Sequence, residues 1–340
     1  MKFNGIELRP DFGDPIAEAT ACRKESALFD FSFIRSARIK GERAQQVVEA
    51  FSSRSMRSLP EGKILYAIRV DENGRAISDL TIWKTTANTF EVMSGRADDI
   101  ASLLNLSGDG VQVEDVSEER AVLAVQGPLS LHVLKKLGAG SKVAGLGYFS
   151  FTHALIGKTP CMIGRLGYTG EAGFELIVSR QSLNRLWKVL SAHARPAGFI
   201  AADILRIEAG FVLFANEFRL PVSPAEAGLG KYYFGSKKAK DQLRLVTFQA
   251  EADAFKPLPW EPSVELSRPI NTGEIVVTSA CRSLSNGRII GLGYVPIATP
   301  NEVSLNDNSG VFRNITQLHM PFYDRQKLRP RTDWLRAANE

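Results

Sequence analysis

Two periods of apolar residues alternate along this chain, and each switch between them marks an element. From Pro15 to Phe29 (PIAEATACRKESALF) apolar positions recur at helical spacing, and FDFSFIRSARIKG then alternates as a strand. ERAQQVVEAFSSRSM reads as a helix that stops at the polar SSRS. KILYAIRV, AISDLTIW and TFEVMSG are short β runs separated by DENGR and KTTAN, the spacing of a hairpin meander. ADDIASLLNL is helical, VQVEDVS and RAVLAVQ are strands, and GPLSLHVLKKLGAG is a helix closed by glycine.

The pattern then starts over. YFSFTHALIG, TPCMIGRLGYT and FELIVS are strands, QSLNRLWKVLSAH is a helix, and DILRIEAGFVLF is a second helix with Asp203 as its expected N-cap. Two similar blocks of alternating strands and helices predict an α+β arrangement, not a βαβ Rossmann pattern. Beyond residue 240, LRLVTFQA, GEIVVTSA and RIIGLGYV are β runs broken by Pro, Gly and Asn, which predicts a small all-β domain.

One stretch stands out, RLGYTGEAGFEL, where three glycines surround a tyrosine and a glutamate sits between Phe174 and Leu176. The flanks predict strands and GEAG the hairpin turn between them. Alternation sends Phe174 and Leu176 to one face and Glu175 to the other. Strand geometry leaves two readings of Glu175 open: a solvated sheet face, or a carboxylate lining a cavity.

The 340 residues suffice for two or three domains. Hydrophobic residues are 44% and charged residues 23%, close to ordinary globular usage. No apolar run is long enough for a membrane helix, and the start MKFNGIELRPDFGDP does not read as a targeting segment. Cys22, Cys161 and Cys281 are widely spaced with no CxxC, so free thiols and a cytoplasmic location are expected. The net charge of +5 is scattered, densest in KYYFGSKKAK and DRQKLRPRTDWLR, and no nucleic-acid module accompanies it. A basic surface that attracts an anionic ligand is the expectation, with no nucleic-acid and no membrane partner.

His132, His153, His193 and His319 are never paired at metal-ligand spacing, so no metal is expected and structural roles are the default. No Walker loop, GxSxG elbow or kinase signature appears, and GLGYF lacks the GxGxxG spacing. Gln126, Arg206 and Glu208 read as structural, a turn and a helix-borne ion pair; Cys161, Trp83 and Trp187 read as packing residues. What remains is carboxylates in apolar strands, Glu175 and Asp79. Asp79 lies mid-strand in AISDLTIW, where its residue class is disfavoured. A buried Asp is either a structural carboxylate holding a backbone turn or an arginine, or a group that accepts a proton or stabilises developing positive charge.

With those residues in place, the sequence resembles the glycine cleavage system T-protein (aminomethyltransferase) family. The resemblance is carried by RAVLAVQGP, RLGYTGEAGFEL, ARPAGFIAADILRIEAGFVLFANE, PVSPAEAGLG and VVTSACRSLSNGRIIGLGYV, five motifs in the family's order. It implies two related α+β domains (residues 1–140, with parts of the chain start packing on the second, and 141–240) and a C-terminal β-barrel with its tail (241–340), arranged around a central tetrahydrofolate pocket. It implies that Glu175 holds the pterin, as a carboxylate accepts two parallel donors. Asp79 falls on the second Asp of the family's GGxxDD motif, here GRAISD, which implies the catalytic acid. Tyr66, Tyr148 and Tyr168 match pocket aromatics suited to a flat pterin, and Ser94 occupies the place of a pocket Asn.

The departures are as informative. The family's GARD arginine is Ala202, and the first Asp of the pair is Ser78. These losses point to a divergent folate-dependent transferase or demethylase that takes a methyl or aminomethyl group from a small-molecule donor. Two alternatives stand beside it: the true aminomethyltransferase, with a lipoyl carrier protein as partner, and a non-catalytic folate-binding protein of the iron–sulfur-cluster maintenance type. The latter branch carries a cysteine where this chain has Tyr232.

Overall fold

Helix α1 (Pro15–Lys24) follows two short strands, β1 (Lys2–Phe3) and β2 (Ile6–Glu7). Asp14 caps it by accepting from the Ala17 amide, and Pro15 fits its first turn. The helix stops at Lys24, well short of the predicted Phe29. Ala27–Asp30 forms β3 instead, because those residues pair in register with Leu123–Gln126 of another strand, and sheet pairing overrides the local period. These coordinates are a computed structural model, which describes residues 2–3, 6–237, 239–252, 270–307, 309–318 and 321–332.

The first block continues with β4 (Arg35–Lys40), α2 (Ala44–Ser52), β5 (Ile64–Val70), β6 (Ala76–Thr86), β7 (Thr89–Ser94), α3 (Ala97–Leu104), β8 (Gln112–Asp115) and β9 (Arg120–Gln126). Helix α4 (Ser130–Lys136) closes that block, and the second contains α5 (Gly140–Val143), β10 (Phe151–Ile156), β11 (Thr159–Gly164), β12 (Gly173–Ser179), α6 (Leu183–Ser191), β13 (Arg195–Ala197), α7 (Phe199–Glu208) and α8 (Phe214–Glu217). The last comprises β14 (Leu243–Glu251), β15 (Glu274–Arg282), β16 (Ile289–Pro296), β17 (Ser304–Asp307) and β18 (Arg313–Leu318).

The fold is α+β with a C-terminal barrel. One sheet has the order β5-β6-β7-β4-β8, and a second has β10-β11-β12-β9-β3-β13. Strands β14-β16-β15-β17-β18 close on themselves. The predicted strand FDFSFIRSARIKG is therefore two strands in two different sheets, β3 and β4. Ile39, Ile82 and Phe90 lie under the first sheet with α2 and α3, and Leu123, Phe174 and Leu176 under the second with α4 and α6, while Phe29, Val122, Ala124 and Ile177 on the second sheet's other face join a further core.

Helix α7 packs against α1 and the barrel strands β15 and β16 and is buried almost all round. Its N-cap is Gly198, not Asp203, which lies mid-helix. Burial on every side removes the amphipathic signal that would have placed its start, and it forces each polar residue to find a partner. Arg206 Nε donates to Asp203 at 2.7 Å, and its terminal nitrogens reach Glu217 at 3.0 Å and Ser279 at 2.7 Å. Glu208 pairs instead with Arg23, at 3.1 Å. Cys161, Trp83 and the other two cysteines are buried, as packing residues are.

The turn between β11 and β12 is wider than GEAG: the loop runs over residues 165–172. Gln126 organises it. Its amide donates to Leu166 O at 3.1 Å and accepts from Thr169 at 3.0 Å. A Cβ at Gly167 would collide with that amide, and Gly170 has a positive φ of 76° against Ala209.

Candidate functional site

Strand β6 alternates strictly: Ser78, Leu80 and Ile82 point into the core, and Asp79 and Thr81 point the other way. On β5, Tyr66 pairs with Thr81 and Ile68 with Asp79, so Tyr66 and Asp79 are diagonal neighbours on the same face. Tyr66 donates its hydroxyl to Asp79 Oδ2 at 3.1 Å. Both residues line two adjoining cavities, an inner one of about 170 Å³ and an outer one of about 410 Å³.

Asp79 is half-buried and lines both cavities. Burial therefore pushes its carboxyl from 3.8 up to about 6, against the Tyr66 hydrogen bond, which favours the charged form. Burial, with Asp79 next to it, also holds the Tyr66 phenol well above its ordinary range.

Glu175 takes the second of its two readings. Phe174 and Leu176 are fully buried beneath β12, while Glu175 lines the inner cavity. It is 8% exposed and has no hydrogen-bond or ion-pair partner among the described residues. Burial alone raises its pKa from 4.5 to about 7.

The remaining expected residues separate. Tyr168 lines both cavities and donates to Val212 O at 2.5 Å. Tyr148 lines only the outer cavity, where burial pushes it up to about 12. Ser94 lines the inner cavity, yet its hydroxyl donates to Asp99 at 2.5 Å. Trp187 stacks on Phe12 away from both cavities. His319 lies outside the described residues.

Sequence reasoning missed several wall residues. Phe149 lines both cavities with a positive φ of 57°, a strained conformation that no residue pattern reveals. Phe31, Phe33 and Phe199 form an edge-to-face chain, with ring centroids 5.9 Å apart at each step, and all line the inner cavity. The period-two aromatics of FDFSF were the available signal. Lys231, Lys327 and Arg331 line the outer cavity, which gathers the two basic patches of the sequence at one mouth. Burial, then repulsion from Lys231 and Arg331, lowers the Lys327 pKa.

The segment after the barrel is tied to the loop at 165–172. Glu171 accepts from Tyr323 at 2.5 Å and from Arg23 at 3.2 Å, Arg23 lies 3.7 Å over the Tyr323 ring, and Arg165 donates to Thr332 O. Among the described residues no group of three or more His, Cys, Asp or Glu could hold a metal ion, and no helix is long and apolar enough to cross a membrane.

Residues 3–234 match the GCVT N-terminal domain family. The chain belongs to that family. Curated relatives span nearly its whole length: an aminomethyltransferase of Rubrobacter xylanophilus is 30% identical, covering 97% of this chain and 92% of its own, and one of Clostridium botulinum is 30% identical over 87% and 85%. The glycine cleavage system aminomethyltransferase T from Bartonella henselae shares the fold, with a TM-score of 0.77 at 21% identity and 96% of this chain covered. The GCVT match ends at residue 234, and the structural likeness extends through the barrel.

Proposed function

We propose that this chain is a tetrahydrofolate-dependent one-carbon transferase working in the paired cavities, and that it takes a methyl or aminomethyl group from a small-molecule donor. The observation that carries this reading is Glu175, a buried carboxylate without a partner among the described residues, in an aromatic-walled cavity. Such a group fits the paired donors of an amino-pyrimidine edge, and Tyr168 and Phe149 offer flat apolar contact beside it. Lys231, Lys327 and Arg331 suit the anionic tail of the same molecule at the outer mouth.

Tetrahydrofolate supplies the nucleophilic nitrogen that accepts the one-carbon unit. Asp79 binds the proton released there: Tyr66 occupies Oδ2, which leaves Oδ1 to take it. A carboxyl held near 6 is charged at neutral pH and still basic enough for that task. Tyr66 orients it, and the phenylalanine wall excludes water. Ser94 acts on the wall through Asp99, and Tyr148 acts from the outer cavity.

The curated relatives favour a second reading, the aminomethyltransferase with a lipoyl carrier protein as partner. Ala202, in the inner wall where the family pattern has arginine, supports the small donor instead. Anaerobic calorimetry with tetrahydrofolate tests the common core: the wild type should bind and Glu175→Gln should bind more weakly. An assay with aminomethyl-loaded dihydrolipoyl carrier protein separates the readings, and turnover there would establish the second.

A further inference from the structure

The two cavities are lined by opposite kinds of ionisable group. The outer one carries Lys231, Lys327 and Arg331, whereas the inner one is lined by Asp79, Glu175 and Asp203 and by no Lys, Arg or His. Ala202 removes the one cation that the family pattern would place there, and it does so directly beside Asp203. Phe199, Ala202 and Asp203 share one face of α7, at the i, i+3 and i+4 positions, and all three line the inner cavity.

Asp203 is the one of the three carboxylates that the transferase reading leaves without a role. It is 3% exposed, its Oδ1 accepts from Arg206, and its Oδ2 has no partner among the described residues. Arg206 is shared with Glu217, so two buried carboxylates answer one guanidinium, and burial, opposed by Arg206, raises the Asp203 pKa. The wall of the same cavity is aromatic, with Phe31, Phe33, Phe199 and Phe214. A primary ammonium would leave N–H donors against phenylalanine, at the cost of unmade hydrogen bonds. A methylated cation presents C–H surface instead and gains from both the ring faces and the carboxylate.

We propose, on the basis of the transferase reading above, that the one-carbon donor is a methylated onium cation, a quaternary ammonium or a sulfonium, held in the inner cavity between Asp203 and the phenylalanine wall. Such a donor makes the transfer self-contained. The C–N or C–S bond breaks with its electron pair left on the donor, which becomes neutral. The methyl carbon takes the lone pair of the acceptor nitrogen, and the proton released there passes to Asp79. No oxidant or reductant enters.

Calorimetry with choline, trimethylsulfonium and the uncharged tert-butyl isostere of choline tests this without any turnover. The wild type should bind at least one onium about tenfold or more tightly than the neutral isostere. Asp203→Asn, which keeps the acceptor for Arg206, should erase that preference. If melting shows that this variant does not fold, Ala202→Lys should abolish onium binding while Ala202→Met retains most of it. Equal binding of cation and isostere, no binding of either onium, or equal loss in the Lys and Met variants overturns the proposal. A parallel tetrahydrofolate titration separates the two ideas. Folate binding without onium binding removes the donor and leaves the transferase; onium binding without folate binding removes the transferase and leaves a cation site.

Discussion

Tyr66 and Asp79 sit on adjacent antiparallel strands, two positions out of direct register, and their side chains meet at 3.1 Å on the cavity side of the sheet. The pair places one acid where it is shielded from bulk water yet still hydrogen-bonded. Asp79→Asn keeps the shape and the contact to Tyr66 but cannot take a proton. Transfer activity should fall by about 10²-fold or more, the usual worth of a positioned acid or base, with the melting temperature and tetrahydrofolate affinity little changed. Retained turnover in single-turnover kinetics would remove Asp79 from its assigned role.

Tyr66→Phe tests the second half of that pair. The hydrogen bond favours the charged carboxylate, so its loss raises the Asp79 pKa above about 6. Activity that needs the ionised form is lost as pH falls through this value. The acidic limb of the pH–rate profile should therefore move upward by about one unit, near 1.4 kcal/mol.

Glu175→Gln should separate stability from binding. The folded-state pKa of about 7 lies above the ordinary 4.5, so folding favours the protonated form. The penalty for a buried charge is absent below about 4.5 and grows until the pH passes about 7. Urea melts at about pH 8 should show the variant more stable than wild type, on the order of 2 kcal/mol, with the gap closing near pH 4.5. Tetrahydrofolate affinity should move the other way, by about 1.5–3 kcal/mol, as one charge-assisted pair is lost. Unchanged melts at both pH values would contradict the burial argument.

Arg23→Met strips the guanidinium from two buried carboxylates, Glu171 and Glu208, and from the Tyr323 ring. Breaking buried pairs on one side costs about 3 kcal/mol or more. Chemical denaturation should show that loss, and hydrogen exchange should rise at both residues 165–172 and 321–332. A change confined to one of the two segments would show that they are not coupled through this residue.

Replacing Lys327 and Arg331 together by Met should weaken tetrahydrofolate binding by roughly 1 kcal/mol at low salt, with the difference shrinking as salt is added. An effect independent of ionic strength would mean that the pair acts through packing.

Much of the fold was legible where local pattern and tertiary context agree. RAVLAVQ is β9 to the residue, and the β5–β6–β7 meander follows its turn signals. The errors occur where a distant partner decides. Residues 27–29 leave the predicted helix because β9 pairs with them, and Asp203 is not a cap because it lies mid-helix, bonded to Arg206 one turn later. The turn after β11 widens because Gln126, some forty residues earlier in the chain, holds its backbone. In the site, alternation alone put Glu175 opposite Phe174 but could not say what lay across from it. Phe149 and residues of α7, which line the same cavity as Glu175, turn that face into a cavity wall.

Glu171 joins three stretches that the chain synthesises far apart, through contacts separated by 148 residues to Arg23 and 152 to Tyr323. The hairpins of the first sheet close over short loops and can form early. The outer cavity cannot: its floor, its loop and its covering segment meet only after the barrel has emerged. A chain interrupted before residue 321 therefore lacks Pro321, Lys327, Pro330 and Arg331, and the order of synthesis completes the outer cavity only with this last segment.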